Sequence, residues 1–138
     1  MSGGNDWDTN IVNEFRVNGG KVGGPFEGAP LLILHTTGAK SGEERVHPLM
    51  YQAVDGKYAI FASKGGAPTN PAWYHNLLSN PETTIEIGTE TKRVTAHEVT
   101  GAEREPIWET QKERYPGFAD YETKTSRTIP VVILEPVE

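Results

Sequence analysis

Glycine and proline punctuate this chain so densely that no regular element can run long: 15 Gly and 10 Pro are spread along 138 residues rather than massed in one linker. Glycine lets the backbone turn through left-handed conformations, and proline withholds an N–H from helix or sheet. Such a chain favours many short segments joined by turns. Apolar runs such as residues 31–34 and 131–134 are far shorter than the roughly 20 residues a membrane-spanning helix needs. The length suits one domain over residues 1–138, able to bury about two-thirds of the surface its unfolded form exposes.

Charge and cysteine usage remove several function classes. Nineteen acidic against 13 basic side chains give a net charge of -6, which opposes a nucleic-acid partner, because counterion release needs surplus Lys and Arg. With no cysteine, disulfides, thiolate metal sites, iron–sulfur clusters and a Cys nucleophile are all absent. His35, His47, His75 and His97 show no H-E-x-x-H spacing and are expected to be structural, so no metal is expected. No G-x-S-x-G elbow is present, which leaves a serine hydrolase without support. The first residues lack the basic and apolar regions of a secretory signal, and a cytoplasmic location is expected.

Along the chain, Asp6 or Asp8 caps an expected helix over 7–18, with Trp7, Ile11 and Phe15 at spacing four. That stripe either packs on the domain or faces a membrane surface or substrate. Six strands are expected, over 31–37, 45–54, 58–62, 83–87, 91–99 and 129–135, with turns at 38–42, Asp55-Gly56 and Gly88-Thr89. A short helix opens at Asn70-Pro71, with Asn as cap and Pro at the first helical position. Thr100 and Glu103 form a capping-box start for a helix to about Arg114, and a further helical piece covers 118–124. The last two segments flank a break at Tyr115-Pro116-Gly117, so helices occur at three places. Hairpin connections favour an antiparallel barrel with helices outside it over βαβ units, a mainly β, α+β fold.

Two loops carry chemistry. In Gly38-Ala39-Lys40-Ser41-Gly42, main-chain N–H groups, a hydroxyl and an ammonium crowd together, with Arg45 just inside the next strand. This is a cradle for an anion such as phosphate, although not a Walker loop. In Ser63-Lys64-Gly65-Gly66-Ala67-Pro68 the chain runs into a helix N-terminus, whose dipole adds to the lysine. Tyr115, Phe118 and Tyr121 recur at spacing three. They are expected on one face of a short helix, as core residues or as a lid over an apolar substrate.

These loops, with Arg45-Val46-His47-Pro48-Leu49 and Pro71-Ala72-Trp73-Tyr74-His75-Asn76-Leu77, resemble the signature of the deazaflavin-dependent nitroreductase family, the coenzyme F420-dependent quinone and nitro reductases. The resemblance runs from about Trp7 to the last strand. It implies a split antiparallel β-barrel of the flavin-mononucleotide-binding type and an 8-hydroxy-5-deazaflavin coenzyme, F420, whose phosphate and oligoglutamate tail are anionic. It implies that Lys40, Ser41 and Arg45 bind the phosphate and tail, that Ser63, Lys64 and Gly65 line the ring, and that Trp73 and Asn76 complete the groove. It also implies that Tyr115 and Tyr121 face a quinone, activated enone or nitroaromatic, while Phe118 stands where relatives carry a third tyrosine; the Ser63 hydroxyl or backbone N–H groups are the candidate oxyanion donors. Flavin mononucleotide on the same barrel, or a non-catalytic carrier of cofactor or lipid, is the alternative. The N-terminal helix is a candidate for peripheral membrane contact. Oligomeric state is not legible.

Overall fold

The structure, a computed structural model, describes residues 6–22, 30–38, 41–63, 69–125 and 128–137, with the backbone alone at 6–9. Seven strands and four helices occur among the described residues: α1 (Asp6–Val17), β1 (Leu31–Thr37), β2 (Glu44–Met50), β3 (Gln52–Val54), β4 (Lys57–Phe61), α2 (Ala72–Ser79), β5 (Glu82–Ile87), β6 (Glu90–Val99), α3 (Gly101–Arg114), α4 (Gly117–Lys124) and β7 (Val131–Pro136).

The strands form one antiparallel sheet in the order β2-β1-β5-β6-β7-β4-β3. β2 and β3 are separated in the chain by Tyr51 alone, yet they stand at opposite edges of the sheet. The segment between Glu44 and Val54 therefore spans both edges and curls the sheet into a split barrel, which covers edges that would otherwise recruit other strands. This corrects the single strand expected over 45–54. Up to the Leu31↔Met50 pair the segment serves β1, and from Gln52↔Ala59 it serves β4. The chain must bend where it changes partner, and Tyr51 marks the bend by donating its N–H to the Pro30 carbonyl at 3.1 Å.

The hairpin from β3 to β4 turns at Asp55 and Gly56, with φ of 50° and 80°. Two successive left-handed residues define the tight turn whose twist matches the flanking strands, and Asp-Gly is the pair best suited to it.

Both faces of the sheet are buried, which explains the uninterrupted apolar runs. Leu32, Leu34, Ile60, Ala62, Val132 and Leu134 point into the barrel, where Trp73 and Leu77 of α2 join them. Their alternates Leu31 and Ile33 face Ile11, Val12 and Phe15 of α1. The alternates Ala59, Phe61, Val131 and Ile133 pack under Ile107 and Trp108 of α3. Ile11 and Phe15 are thus spent on core packing. The side chain of Trp7, the third member of that stripe, lies outside the described residues.

The four helices correspond to the four helical segments expected, with Tyr115 and Pro116 separating α3 from α4. α2 begins one residue later than expected, with Pro71 in the capping position and no side-chain cap bond. The capping box at α3 does not form: Thr100 occupies the cap position, but its side chain makes no cap hydrogen bond. Gly101 opens the helix at φ 58°, so the chain enters by a left-handed step that a capping hydroxyl does not require. β7 starts at Val131, two residues later than expected. No helix among the described residues is long and apolar enough to cross a membrane.

Candidate functional site

The first loop is a tight turn held by its own backbone. Gly38 N–H donates to the Glu43 carbonyl at 2.8 Å, Gly42 N–H to the Gly38 carbonyl at 2.9 Å, and Glu43 N–H to Ser41 Oγ at 3.2 Å. A Cβ on Gly38 would come within 2.5 Å of Ser41 Oγ, so a larger residue there would displace that hydroxyl. Ser41 is exposed and retains its own proton for donation. Lys40 lies outside the described residues.

Arg45 follows in β2. Its nearest carboxylate, Glu43, is 3.4 Å away and largely exposed, a weak tie that leaves the guanidinium fork available for a ligand. The register pairs Arg45 with Thr36 and His47 with Leu34. Opposed residues in an antiparallel pair share a face, so Arg45, Thr36 and His47 stand on the face that carries Leu34.

On this face a buried polar chain links three elements. Asn76 of α2 donates Nδ2–H to Thr36 Oγ1 at 3.2 Å, and Thr36 Oγ1 lies 2.9 Å from His47 Nε2. Thr36 and Asn76 are buried, so each group needs such a partner. The His47 ring is held neutral, its pKa lowered to about 4 by burial, then by the charges of Arg45 and His35. Sequence reasoning placed Asn76 here but missed Thr36 and His47. The available signal was the i, i+2 spacing of Arg45 and His47 on a strand.

The remaining expected residues distribute as follows. Trp73 is buried in the inner cluster, a packing position at the barrel end that α2 closes. Ser63 is buried just beyond β4, next to Ala62, whose N–H donates to the Pro130 carbonyl at 3.0 Å. Lys64 and Gly65 lie outside the described residues. Tyr115 is not on a common helical face with Phe118 and Tyr121: it is the C-cap of α3, its N–H bonded to the Gln111 carbonyl at 2.9 Å, and Pro116 then breaks the chain.

Phe118 and Tyr121 do share a face of α4. Their rings meet edge-on at 5.3 Å, and Phe118 contacts Phe61 at 5.7 Å and Trp108 at 6.2 Å. This aromatic wall packs on the outer cluster, two residues along the chain from Ser63. Trp108 Nε1–H donates to Glu122 at 2.7 Å. That bond, followed by one from Lys112, holds the Glu122 carboxyl below its ordinary range against the opposing effect of burial. α4 is thereby pinned to α3.

A third polar group joins α1 to the sheet. Arg16 grips Glu86 through Nε at 3.0 Å and Nη2 at 2.7 Å, and His35 Nε2 reaches the same carboxylate at 2.7 Å. These bonds, Arg16's first, hold the Glu86 carboxyl below its ordinary range although burial opposes them.

Residues 7–136 match a family model described as F420H(2)-dependent quinone reductase. An F420H(2)-dependent quinone reductase of Mycobacterium tuberculosis is 40% identical over 124 residues, spanning 87% of this chain and 83% of its own. Among solved structures, an F420-H2 dependent reductase, FDR-A, is 48% identical with a TM-score of 0.70, covering 77% of this chain and 94% of its own. Another, described as a domain-swapped dimer, is 43% identical with a TM-score of 0.72, covering 92% and 93%.

Proposed function

The chain belongs to the F420H(2)-dependent quinone reductase family, and from that premise we propose that it binds the 8-hydroxy-5-deazaflavin coenzyme and uses its reduced form to reduce quinones, with activated enones and nitroaromatics as further acceptors. When bound, the coenzyme supplies a hydride; the protein supplies position and electrostatics.

The observation that carries this reading is the placement of Arg45. It follows the tight Gly38–Gly42 turn, is weakly engaged by Glu43 at 3.4 Å, and shares a face with the buried Thr36–His47–Asn76 chain. A fork-shaped cation, an exposed hydroxyl and hydrogen-bonded polar groups fit an anionic phosphate. Arg45, Ser41 and Lys40 hold the phosphate. Lys64 and Gly65 border the ring, and Asn76, with Trp73 packed behind it, forms the groove wall. Ser63 donates to the acceptor oxygen as negative charge develops there. Tyr115 and Tyr121 border the acceptor and exclude water. Flavin mononucleotide carries a phosphate but no oligoglutamate tail, so it leaves part of this cationic capacity unused.

A cytoplasmic setting belongs to the same reading. A peripheral membrane contact would have to use parts of α1 other than Ile11 and Phe15, which are buried.

The test is titration of the purified protein with each coenzyme, followed by intrinsic tryptophan fluorescence. Binding of the deazaflavin in preference to flavin mononucleotide, weakening with salt as exposed ion pairs do, is expected. Tight flavin mononucleotide binding with no deazaflavin binding would overturn the assignment.

A further inference from the structure

The polar chain from Asn76 through Thr36 ends on His47. Asn76 Nδ2–H donates to Thr36 Oγ1, and the same oxygen lies 2.9 Å from His47 Nε2; where Thr36 spends its own hydrogen on that contact, Nε2 is the acceptor. A neutral imidazole accepting at Nε2 carries its proton on Nδ1. In that arrangement the second ring nitrogen is a donor, held by partners that are themselves buried. No hydrogen bond involves Nδ1 among the described residues, and the ring is only half-buried. A half-buried N–H oriented by two buried groups yet unmatched within the described protein is prepared for an acceptor from outside.

The surroundings select the acceptor. Arg45 lies two residues away on the same face, close enough for its charge to act on the ring. A full positive charge beside a neutral donor favours an anionic oxygen over a neutral carbonyl. We propose that His47 is a coenzyme-binding residue, oriented by Asn76 through Thr36, that presents Nδ1–H to a phosphate oxygen gripped on its other side by Arg45. The proposal rests on the deazaflavin reading above. It gives the threonine and asparagine a function beyond packing: they set the tautomer.

The two amide side chains dissect the ring. Asparagine places its N–H near the position of Nδ1, whereas glutamine reaches toward Nε2 and leaves the Nδ1 position empty. His47→Gln is expected to weaken binding of the full coenzyme about ten- to a hundredfold, the range for a lost hydrogen bond to a charged group. His47→Asn keeps an N–H near the Nδ1 position and should lose less affinity than His47→Gln, although it too gives up the contact with Thr36. Thr36→Val removes the orienting hydroxyl and should weaken binding without touching the ligand. The deazaflavin fragment lacking phosphate and tail should bind all variants alike.

A readout independent of coenzyme comes first: ¹⁵N NMR of the free protein should show His47 Nε2 as the bare nitrogen, and titration with inorganic phosphate should shift the Nδ1–H resonance. Protonation on Nε2 instead, full affinity in His47→Gln, or equal loss with the phosphate-free fragment would each overturn the proposal. If wild-type protein fails to bind the coenzyme but phosphate still moves the His47 resonance, the deazaflavin reading fails while the anion site stands; no shift overturns the site itself.

Discussion

Acidification should begin to destabilise this fold from pH 6.5 downward, and His47 should be a main cause. In the native state its pKa is lowered from 6.5 to about 4, chiefly by burial, then by Arg45 and His35. In the unfolded chain it returns to the ordinary value. A depressed histidine pKa means that between those two values the unfolded state binds the proton and the native state does not. Stability therefore falls as pH falls from 6.5 toward 4 and is unaffected by this group above 6.5. Each unit of separation corresponds to about 1.4 kcal/mol, so the full window removes about 3 kcal/mol, a large share of the roughly 5–15 kcal/mol that holds a domain together. Urea unfolding at half-unit pH steps, read by tryptophan fluorescence, measures it. The midpoint should slide over this interval in the wild type, and the slide should flatten in His47→Asn, which has no titrating ring. Parallel curves for the two proteins would refute the burial of a neutral ring.

Three further outcomes follow from particular contacts. Arg104, buried in α3, donates Nε–H and an Nη2–H to the Ile129 carbonyl at 3.3 and 2.8 Å and lies 5.3 Å over the Trp108 ring; Arg104→Met should cost about 2–3 kcal/mol by orphaning that carbonyl at the entrance to β7, measured by urea unfolding, and a change under about 0.5 kcal/mol, as small as at an ordinary surface site, would contradict it. Gly38→Ala should weaken coenzyme binding by disrupting the turn, since the new Cβ meets Ser41 Oγ at 2.5 Å, and the added change Ser41→Gly should recover stability but not affinity in calorimetry. Because Glu86 titrates below its ordinary 4.5, with Arg16 the first cause, its contribution is complete above that value and lost as pH falls through the lower native pKa; Glu86→Gln should remove that acid-side component from the unfolding curves and loosen α1 in hydrogen exchange.

The strands were legible because both turn chemistry and apolar pattern agreed. Asp55-Gly56 fixed one hairpin, and the runs 31–34 and 131–134 marked strands buried on both faces. The bend at Tyr51 was not legible: residues 45–54 read as one extended segment, and only the curl of the sheet, which depends on all seven strands, makes that segment change partners. The capping box at Thr100 failed because a left-handed Gly101 intervenes, a conformation that sequence permits without requiring. Among the expected site residues, the Gly38–Gly42 turn and Arg45 were readable from residue type and order, whereas Asn76 came from the family resemblance. His47 was read as structural because a lone histidine is uninformative until a register sets it beside Thr36 and Arg45. The apparent helical spacing of Tyr115, Phe118 and Tyr121 misled in the same way, since Pro116 places Tyr115 at the end of a different helix. Arg104 and Gln111, buried on α3 beside Ile107 and Trp108, escaped notice because charged and amide side chains obscure an otherwise regular i, i+3, i+4, i+7 stripe.

The most direct test of the central claim is anaerobic reoxidation of the reduced deazaflavin coenzyme by a quinone such as menadione in the presence of the protein. Recovery of the oxidised coenzyme's absorbance at a rate proportional to protein concentration is expected. In Arg45→Ala at limiting coenzyme that rate should fall about ten- to a hundredfold, as removal of a charged hydrogen bond predicts. Reoxidation no faster than without protein, while the coenzyme remains bound, would contradict the claim and leave the chain a coenzyme carrier.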